Sequence, residues 1–286
     1  MLWLILAISA AFFESMKDVF SKFSLKKIDE WVVAWALSFI AAVCLFPVIF
    51  FAKIPPLGNQ FWIALLIAGS LSAAATVIYM KALKSSDLSL SIPMLAFTPL
   101  FLLLSSPILL GEFPNFLGLT GVLLIVVGSY TLNIKEKHKG YLAPFKALIK
   151  EKGPMLMLCV AFIWSIGSNF DKIGVKNSSP VFWSFASNAF VGIVMIPIML
   201  YKAKNINKIP SRVKLLFPIG LFKGITSLFQ MIAINLTLVA YVISIKRTSI
   251  IISVLLGFLI FREKNIKERL AGAAIMIVGI LFIALS

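Results

Sequence analysis

The chain has 286 residues, a formal net charge of +16, and 60% hydrophobic side chains. Its mean hydropathy of +1.02 excludes an ordinary water-soluble domain, in which about half of the residues are apolar. Most lysines and arginines fall between the apolar segments, which is typical of the loops of a membrane protein and not of a nucleic-acid-binding surface. We therefore expect no nucleic acid as a partner.

Apolar segments of about 20 residues recur along the chain, and each is long enough to cross a hydrocarbon layer of roughly 30 Å as a helix. The predicted fold class is an all-α integral membrane protein with ten transmembrane helices, which has the lipid bilayer as a partner. The predicted spans are residues 2–20, 31–52, 60–82, 88–110, 114–133, 154–174, 180–201, 213–236, 239–261 and 267–285.

The second half of the chain repeats the first at a shift of 150 or 151 residues. Matched pairs include Lys22 with Lys172, Pro47 with Pro197, Gly121 with Gly272 and Gly128 with Gly279. Residues 1–133 form the first repeat, 134–153 a basic connector that contains His138, and 154–286 the second repeat. Five spans is an odd number, so the second repeat enters the membrane from the opposite side. The two repeats are therefore predicted to be inverted, with a substrate site between them near the bilayer midplane.

The first span carries four charged residues on one helical stripe, namely Glu14, Lys17, Asp18 and Lys22. The two acids lie close enough along the helix to neutralise Lys17. A carboxylate inside a span is a candidate for proton coupling, and we assign this role to Glu14 and Asp18.

Repeated features of the fifth and tenth spans predict helix packing. Their matched glycines are seven residues apart on one helix face, which favours close contact between the last helices of the two halves. Glu112 and Glu263 each precede one of these spans, where a carboxylate interacts favourably with the positive end of the helix dipole.

Polar stripes continue through the second half and predict a water-filled cavity. The ninth span holds Lys246 and Arg247 at its centre, although a cation there costs on the order of 2.5 to 3.5 kcal/mol. The substrate-binding candidates are Trp164, Asn169, Asn188, Lys223, Gln230, Lys246 and Arg247. Lys246 and Arg247 also fit a second interpretation, a structural pair satisfied by Glu14 and Asp18 without a ligand.

The distribution of basic residues predicts the orientation. Most of the 27 lysines and arginines lie in the odd-numbered connections, whereas the even-numbered ones carry Lys53, Lys172 and Lys176. The odd connections are expected on the cytoplasmic side of the plasma membrane, and both termini outside. The sequence has no catalytic triad, phosphate-binding loop or metal-ligand cluster, so we expect no enzyme activity, cofactor or metal.

Three segments resemble a known family. LGEFPNFLGLTGVLLIVVG (110–128), FREKNIKERLAGAAIMIVG (261–279) and AFIWSIGSNFDKIGVK (161–176) are similar to the EamA-type repeat of the drug/metabolite transporter superfamily. The resemblance implies a ten-helix transporter. Relatives are usually drawn with both termini inside, contrary to the charge bias. The first repeat departs from the pattern, with Glu14 in the place of Trp164. Lys246 and Arg247 resemble the phosphate-contacting pair of triose-phosphate translocators, which implies that they hold an anionic group of the substrate.

The expected function is secondary transport of a small polar metabolite, anionic or zwitterionic, by alternating access. Two other functions stay open. One is proton-coupled export of cationic or aromatic compounds through Glu14. The other is a non-transporting membrane scaffold or receptor that binds partners through its basic connector.

Overall fold

The computed structural model describes residues 1–52, 54–86, 91–131, 151–204, 206, 209–261 and 267–286, and every regular element in these ranges is helical. The α-helices are α1 (Leu2–Leu25), α2 (Glu30–Phe51), α3 (Phe61–Ser85), α4 (Thr98–Leu110), α5 (Phe116–Thr131), α6 (Lys152–Lys176), α7 (Pro180–Lys202), α8 (Val213–Leu236), α9 (Val239–Lys246), α10 (Ser249–Phe261) and α11 (Lys267–Ala284). Most of the predicted connector, with His138, lies outside the described residues, as does Glu263.

Within the ranges that the structure describes, five segments are long and apolar enough to cross a membrane. They are Glu30–Phe51, Phe61–Ser85, Lys152–Lys176, Pro180–Lys202 and Pro210–Leu236. Helix α1 has the length of a span, but four charged residues interrupt its apolar sequence. Shorter apolar helices cover Met94–Leu110, Phe116–Ser129 and Ala274–Ala284.

Local sequence determines where the second helix of each half begins. The Asp29 side chain accepts a hydrogen bond from the Trp31 amide at 2.9 Å and caps α2. The Ser179 hydroxyl accepts one from the Phe182 amide at 3.2 Å, and Pro180 occupies the first turn of α7. Both caps satisfy amides that a helix start leaves without a partner. The two caps are 150 residues apart, in agreement with the repeat.

The predicted ninth span is not one continuous helix. Helix α9 ends at Lys246 and α10 begins at Ser249. At the break, the backbone bonds tighten to a three-residue spacing, with the Thr248 amide 2.9 Å from the Ile245 oxygen and the Ile250 amide 3.0 Å from the Arg247 oxygen. Such a short 3-10 stretch interrupts the regular α-helical path. The prediction of an uninterrupted helix over 239–261 was therefore wrong.

The predicted fourth span is interrupted at the equivalent position. A 3-10 turn covers Ile92–Phe97, and α4 starts at Thr98. Pro93 lies within this turn and Pro99 in the first turn of α4, and neither supplies an N–H group to an α-helical ladder. A shift of 151 residues places Phe97 on Thr248. The two repeats therefore share a broken helix.

The two halves contact each other reciprocally. Helix α1 packs on α8 and α3 packs on α6, while α2 meets its repeat equivalent α7 and α5 meets its equivalent α11. Phe46 of α2 lies 5.9 Å from Phe185 of α7 between ring centres, and Gly192 of α7 lies against Phe39. Since low-numbered residues of one helix meet high-numbered residues of the other, these equivalent helices run in opposite directions, as expected for inverted repeats.

The predicted glycine contact between the last helices of the two halves is confirmed. A Cβ atom on Gly121 would lie 2.7 Å from the Gly279 oxygen, and one on Gly279 would lie 2.7 Å from the Gly121 oxygen. A Cβ atom on Gly128 would meet the Gly272 oxygen at the same distance. Helices α5 and α11 therefore touch through their backbones, where any side chain would force them apart.

Candidate functional site

A cavity lies at mid-height in the bundle, between the two halves. Helices α1, α2 and α3 form one wall, and α6, α7, α8 and α9 form the rest. Its volume is about 60 Å³, which is enough for a few water molecules but not for a metabolite. The charged residues that line it are Glu14, Asp171, Lys223, Lys246 and Arg247.

Arg247 lies at the helix break, and its side chain reaches the opposite half of the molecule. Its Nη2 atom donates to the Thr98 hydroxyl at 2.9 Å, and the guanidinium lies 5.5 Å from the centre of the Trp164 ring. The residue is only 2% exposed, yet Nε and Nη1 have no hydrogen-bond partner among the described residues. Buried donors of this kind are costly unless a ligand or water satisfies them.

Lys246 points into the same cavity and has a neutral partner. Its ammonium donates to the Gln230 side-chain oxygen at 2.6 Å and lies 3.8 Å from a carboxylate oxygen of Glu14. Among the described residues, Lys246 therefore has one hydrogen bond and one more distant counter-charge, which leaves donor capacity for another group.

Glu14 and Asp18 both form ion pairs with Lys17. The Lys17 ammonium lies 2.9 Å from Glu14 and 3.1 Å from Asp18, which confirms that these acids neutralise it locally. It also lies 4.6 Å from the centre of the Tyr79 ring, and Tyr79 donates its hydroxyl proton to Asp18. Asp18 is thus held by Lys17 and Tyr79 and does not line the cavity, whereas Glu14 does.

Asp171 is a cavity residue that sequence reasoning missed. Its Oδ1 atom accepts a hydrogen bond from the Trp183 indole at 2.9 Å, and Trp183 is fully buried against Gly174. The half-buried Asp171 has no ion pair within the described ranges and faces the cavity together with Lys223. A signal was available, because Asp171 follows Trp164 and Gly167 by seven and four residues on one helix face.

The structure brings most of the predicted site residues to this cavity. They are Trp164, Asn188, Lys223, Gln230, Lys246 and Arg247, together with Glu14. Besides Asp18, the predicted site residue that does not line the cavity is Asn169. Its amide bonds to Ser105 at 2.9 Å and Ser106 at 2.7 Å, both in α4. Asn169 lies about 100° around α6 from Ser168, so it joins two helices and does not face the cavity.

The charges on the cavity wall nearly balance. Three cations, Lys223, Lys246 and Arg247, stand against two acids, Glu14 and Asp171, which leaves a surplus of one positive charge among the lining residues that the structure describes. Both signs of charge lie on the cavity wall, and neither Arg247 nor Asp171 forms an ion pair with another residue in the described part of the chain.

A second charged contact joins the halves near the end of α6. Lys172 forms an ion pair with Glu112, and its ammonium donates to the Thr237 carbonyl at 2.8 Å. Glu112 also accepts from the Val239 amide at 3.3 Å, at the start of α9. Glu112, which was expected to stabilise the helix following it in its own repeat, thus also contacts the N-terminus of a helix in the other half.

Residues 1–134 and 151–285 match the EamA-like transporter family. The chain belongs to this family. It is therefore a multi-pass membrane protein of the drug/metabolite transporter superfamily, whose EamA members are transporters. One solved structure, "Crystal structure of protein", has the same fold as this EamA protein, with a TM-score of 0.77, 15% sequence identity, and coverage of 99% of this chain and 96% of that chain. No curated protein matches the sequence.

Proposed function

We propose that this EamA protein is a secondary transporter that moves a small polar metabolite, zwitterionic or anionic, by alternating access between its two repeats. The observation that supports the proposal is the central cavity, in which Arg247 has two donor atoms without a partner among the described residues. A guanidinium binds a carboxylate or phosphate through paired hydrogen bonds. Lys246, which precedes it in the chain, adds a second charge for the same anionic group.

The opposite wall favours a zwitterion over a simple anion. Asp171 presents a carboxylate that has no ion pair in the described part of the chain, and Lys223 shares the cavity with it. An ammonium group on the substrate would find a counter-charge at Asp171, while its carboxylate lies at Arg247. Gln230, Asn188 and Trp164 supply polar and aromatic contacts between these two ends.

The small volume of the cavity fits one stage of a transport cycle. A cavity of about 60 Å³ must widen before a metabolite enters, and the broken helices next to Arg247 are places where the bundle can bend. Interrupted spans beside a midplane site are a recurring feature of transporters with inverted repeats. We extend the proposal to ten spans in the plasma membrane, in repeats at 1–133 and 154–286 with both termini outside.

A second candidate function is proton-coupled export of cationic or aromatic compounds. Glu14 and Asp171 both line the cavity, and the Trp164 ring forms part of its wall. This second function is less favoured, because the Glu14 carboxylate already forms an ion pair with Lys17 at 2.9 Å and lies 3.8 Å from the Lys246 ammonium.

Ligand-induced thermal stabilisation separates the two functions. The purified protein is heated with amino acids, carboxylates, phosphorylated metabolites or quaternary amines in turn, and the measurement is repeated on Arg247→Ala and Lys246→Ala. Amino acids or anions should raise the melting temperature of the parent and not that of either variant. Lys176→Ala, at the exposed end of α6, is the control and should respond like the parent.

Stabilisation by amines that persists in both variants would instead favour the cation exporter. Uptake of the stabilising compound into liposomes that contain the protein then tests transport itself. A compound that binds and is not transported would support a receptor.

A further inference from the structure

A second cavity lies at one end of the bundle, apart from the central one. It is enclosed by the turn between α1 and α2, the end of α3, and the chain that leads into α8. Its volume is about 360 Å³, within the range of sites that hold small organic ligands. This cavity takes no part in the proposed transport site.

The charged residues around this cavity are mostly basic. They are Lys26, Lys27, Lys84, Lys204 and Arg212, with Asp29 as the one acid in the lining that the structure describes. Lys84 pairs with Glu30, and the Asp29 carboxylate caps α2. The ammonium groups of Lys27 and Lys204 form no hydrogen bond or ion pair within the described part of the chain.

The floor of the cavity is apolar and buried. Leu25, Val32 and Leu216 line it and are 7%, 2% and 1% exposed. The Arg212 guanidinium donates to the Lys27 carbonyl, which ties the two basic sides of the cavity together. A concave surface with a basic rim and an apolar floor matches an anionic head group attached to an apolar part.

Basic residues at this end of a membrane protein can be explained without a ligand, because loop lysines also set membrane orientation. Orientation does not require them to converge around one cavity. Here Lys27 belongs to the first half, while Lys204 and Arg212 belong to the second half, and they meet across an apolar floor. This convergence is the feature that distinguishes a binding site from a merely basic surface.

We propose that this cavity binds a phosphate-bearing anionic ligand. Lys27, Lys204 and Arg212 hold the phosphate oxygens, since Lys and Arg are the side chains that bind phosphate most strongly. Leu25 and Leu216 contact the apolar part. The phosphate comes from a lipid head group or from a soluble phosphate ester, and in either case the ligand links the two halves at this end.

The test is thermal stabilisation of the intact protein in neutral detergent, with phosphatidylglycerol, phosphatidylcholine or glycerol 3-phosphate added in increasing amounts. The parent is compared with Lys27→Gln/Lys204→Gln. The control is Lys202→Gln/Lys214→Gln, which removes the same charge from exposed residues at the same end that do not line the cavity. All four lysines are exposed, so both double variants should fold, and their melting temperatures without ligand check this.

We expect the concentration for half-maximal stabilisation to rise about tenfold in the cavity variant and to stay within about twofold of the parent in the control. A response to phosphatidylglycerol alone identifies a lipid head group, whereas an equal response to glycerol 3-phosphate identifies a soluble ester. An equal loss of ligand-induced stabilisation in both double variants would show that general surface charge causes the effect and would overturn the proposal. The proposal would also be overturned if neither phosphatidylglycerol nor glycerol 3-phosphate stabilised the parent. Neither result depends on what the central cavity binds.

Discussion

Arg247 donates from Nη2 to the Thr98 hydroxyl at 2.9 Å, and this bond connects the two helix breaks. Thr98 begins α4 directly after the 3-10 turn of the first half, and Arg247 follows the last residue of α9 in the second half. A ligand that draws the guanidinium toward the cavity therefore acts on both broken helices at once. Under the proposed alternating-access mechanism, this contact would connect ligand binding to movement of the two repeats.

Thr98→Val should lower the free energy of unfolding by about 1–2 kcal/mol, because it removes the acceptor of a buried charged hydrogen bond. Chemical denaturation in detergent measures the change. Thr120→Val is the control, since the Thr120 hydroxyl bonds to the Leu117 carbonyl of its own helix. In a double-mutant cycle with Arg247→Met, the effects of the two substitutions should not add. Strict additivity would show that the two residues are not coupled.

Lys17→Met should destabilise the protein by about 3–5 kcal/mol, because two buried carboxylates, Glu14 and Asp18, lose their shared counter-ion. The matched control is Lys84→Met. The Lys84 side chain is 49% exposed in its pair with Glu30, so its loss should cost about 0–1 kcal/mol. Unfolding in detergent compares the two, and similar small losses would contradict the buried cluster.

Asp171→Asn should weaken the binding of zwitterionic or cationic compounds by about tenfold or more, with little effect on simple anions. The substitution keeps an oxygen that accepts the Trp183 indole proton, so the fold around Trp183 should persist. Isothermal titration with a stabilising compound measures the affinity, and tryptophan fluorescence checks the packing. Glu30→Gln, remote from the cavity, serves as the control. Unchanged affinity for an amino acid would remove Asp171 from the site.

Gly121→Ala and Gly279→Ala should each destabilise the bundle by about 1–3 kcal/mol, since each new methyl group would meet a backbone oxygen at 2.7 Å. Gly167→Ala should not destabilise it, because a Cβ atom there has nothing within 4 Å and alanine favours a helix. Thermal unfolding of the three variants tests the contrast. Equal stability of all three would mean that α5 and α11 do not touch in the protein.

Much of the fold was visible in the sequence because apolar length and repetition are strong signals. The shift of 150 residues predicted equivalent helices, and the glycines of α5 and α11 predicted their contact. The break at Arg247 was not visible, because the residues around it include no glycine or proline. Pro93 and Pro99 mark the equivalent break in the first repeat, and the repeat itself was the only means of transferring it.

Sequence reasoning found the site residues whose charge is costly to bury inside a span, and it missed a residue at a position where a charge carries little cost. Lys246 and Arg247 were found because two cations inside an apolar run need partners. Asp171 was overlooked because it stands near the end of its span, where an acid reaches water without penalty. Asn169 was assigned to the site because the sequence does not distinguish an amide that faces a cavity from one that joins two helices. Its position about 100° around the helix from the cavity-lining Ser168 decides this.

The paired cations also bear on how the chain is assembled in the membrane. A span with Lys246 and Arg247 at its centre is a poor candidate for insertion by itself. Its partners Thr98, Glu14 and Gln230 all precede it in the chain and are therefore synthesised first. The proposed ninth span would thus enter a bilayer in which its partners are already present, and we expect substitution of Glu14 or Thr98 to cause failed insertion of the C-terminal spans as well as loss of the proposed binding.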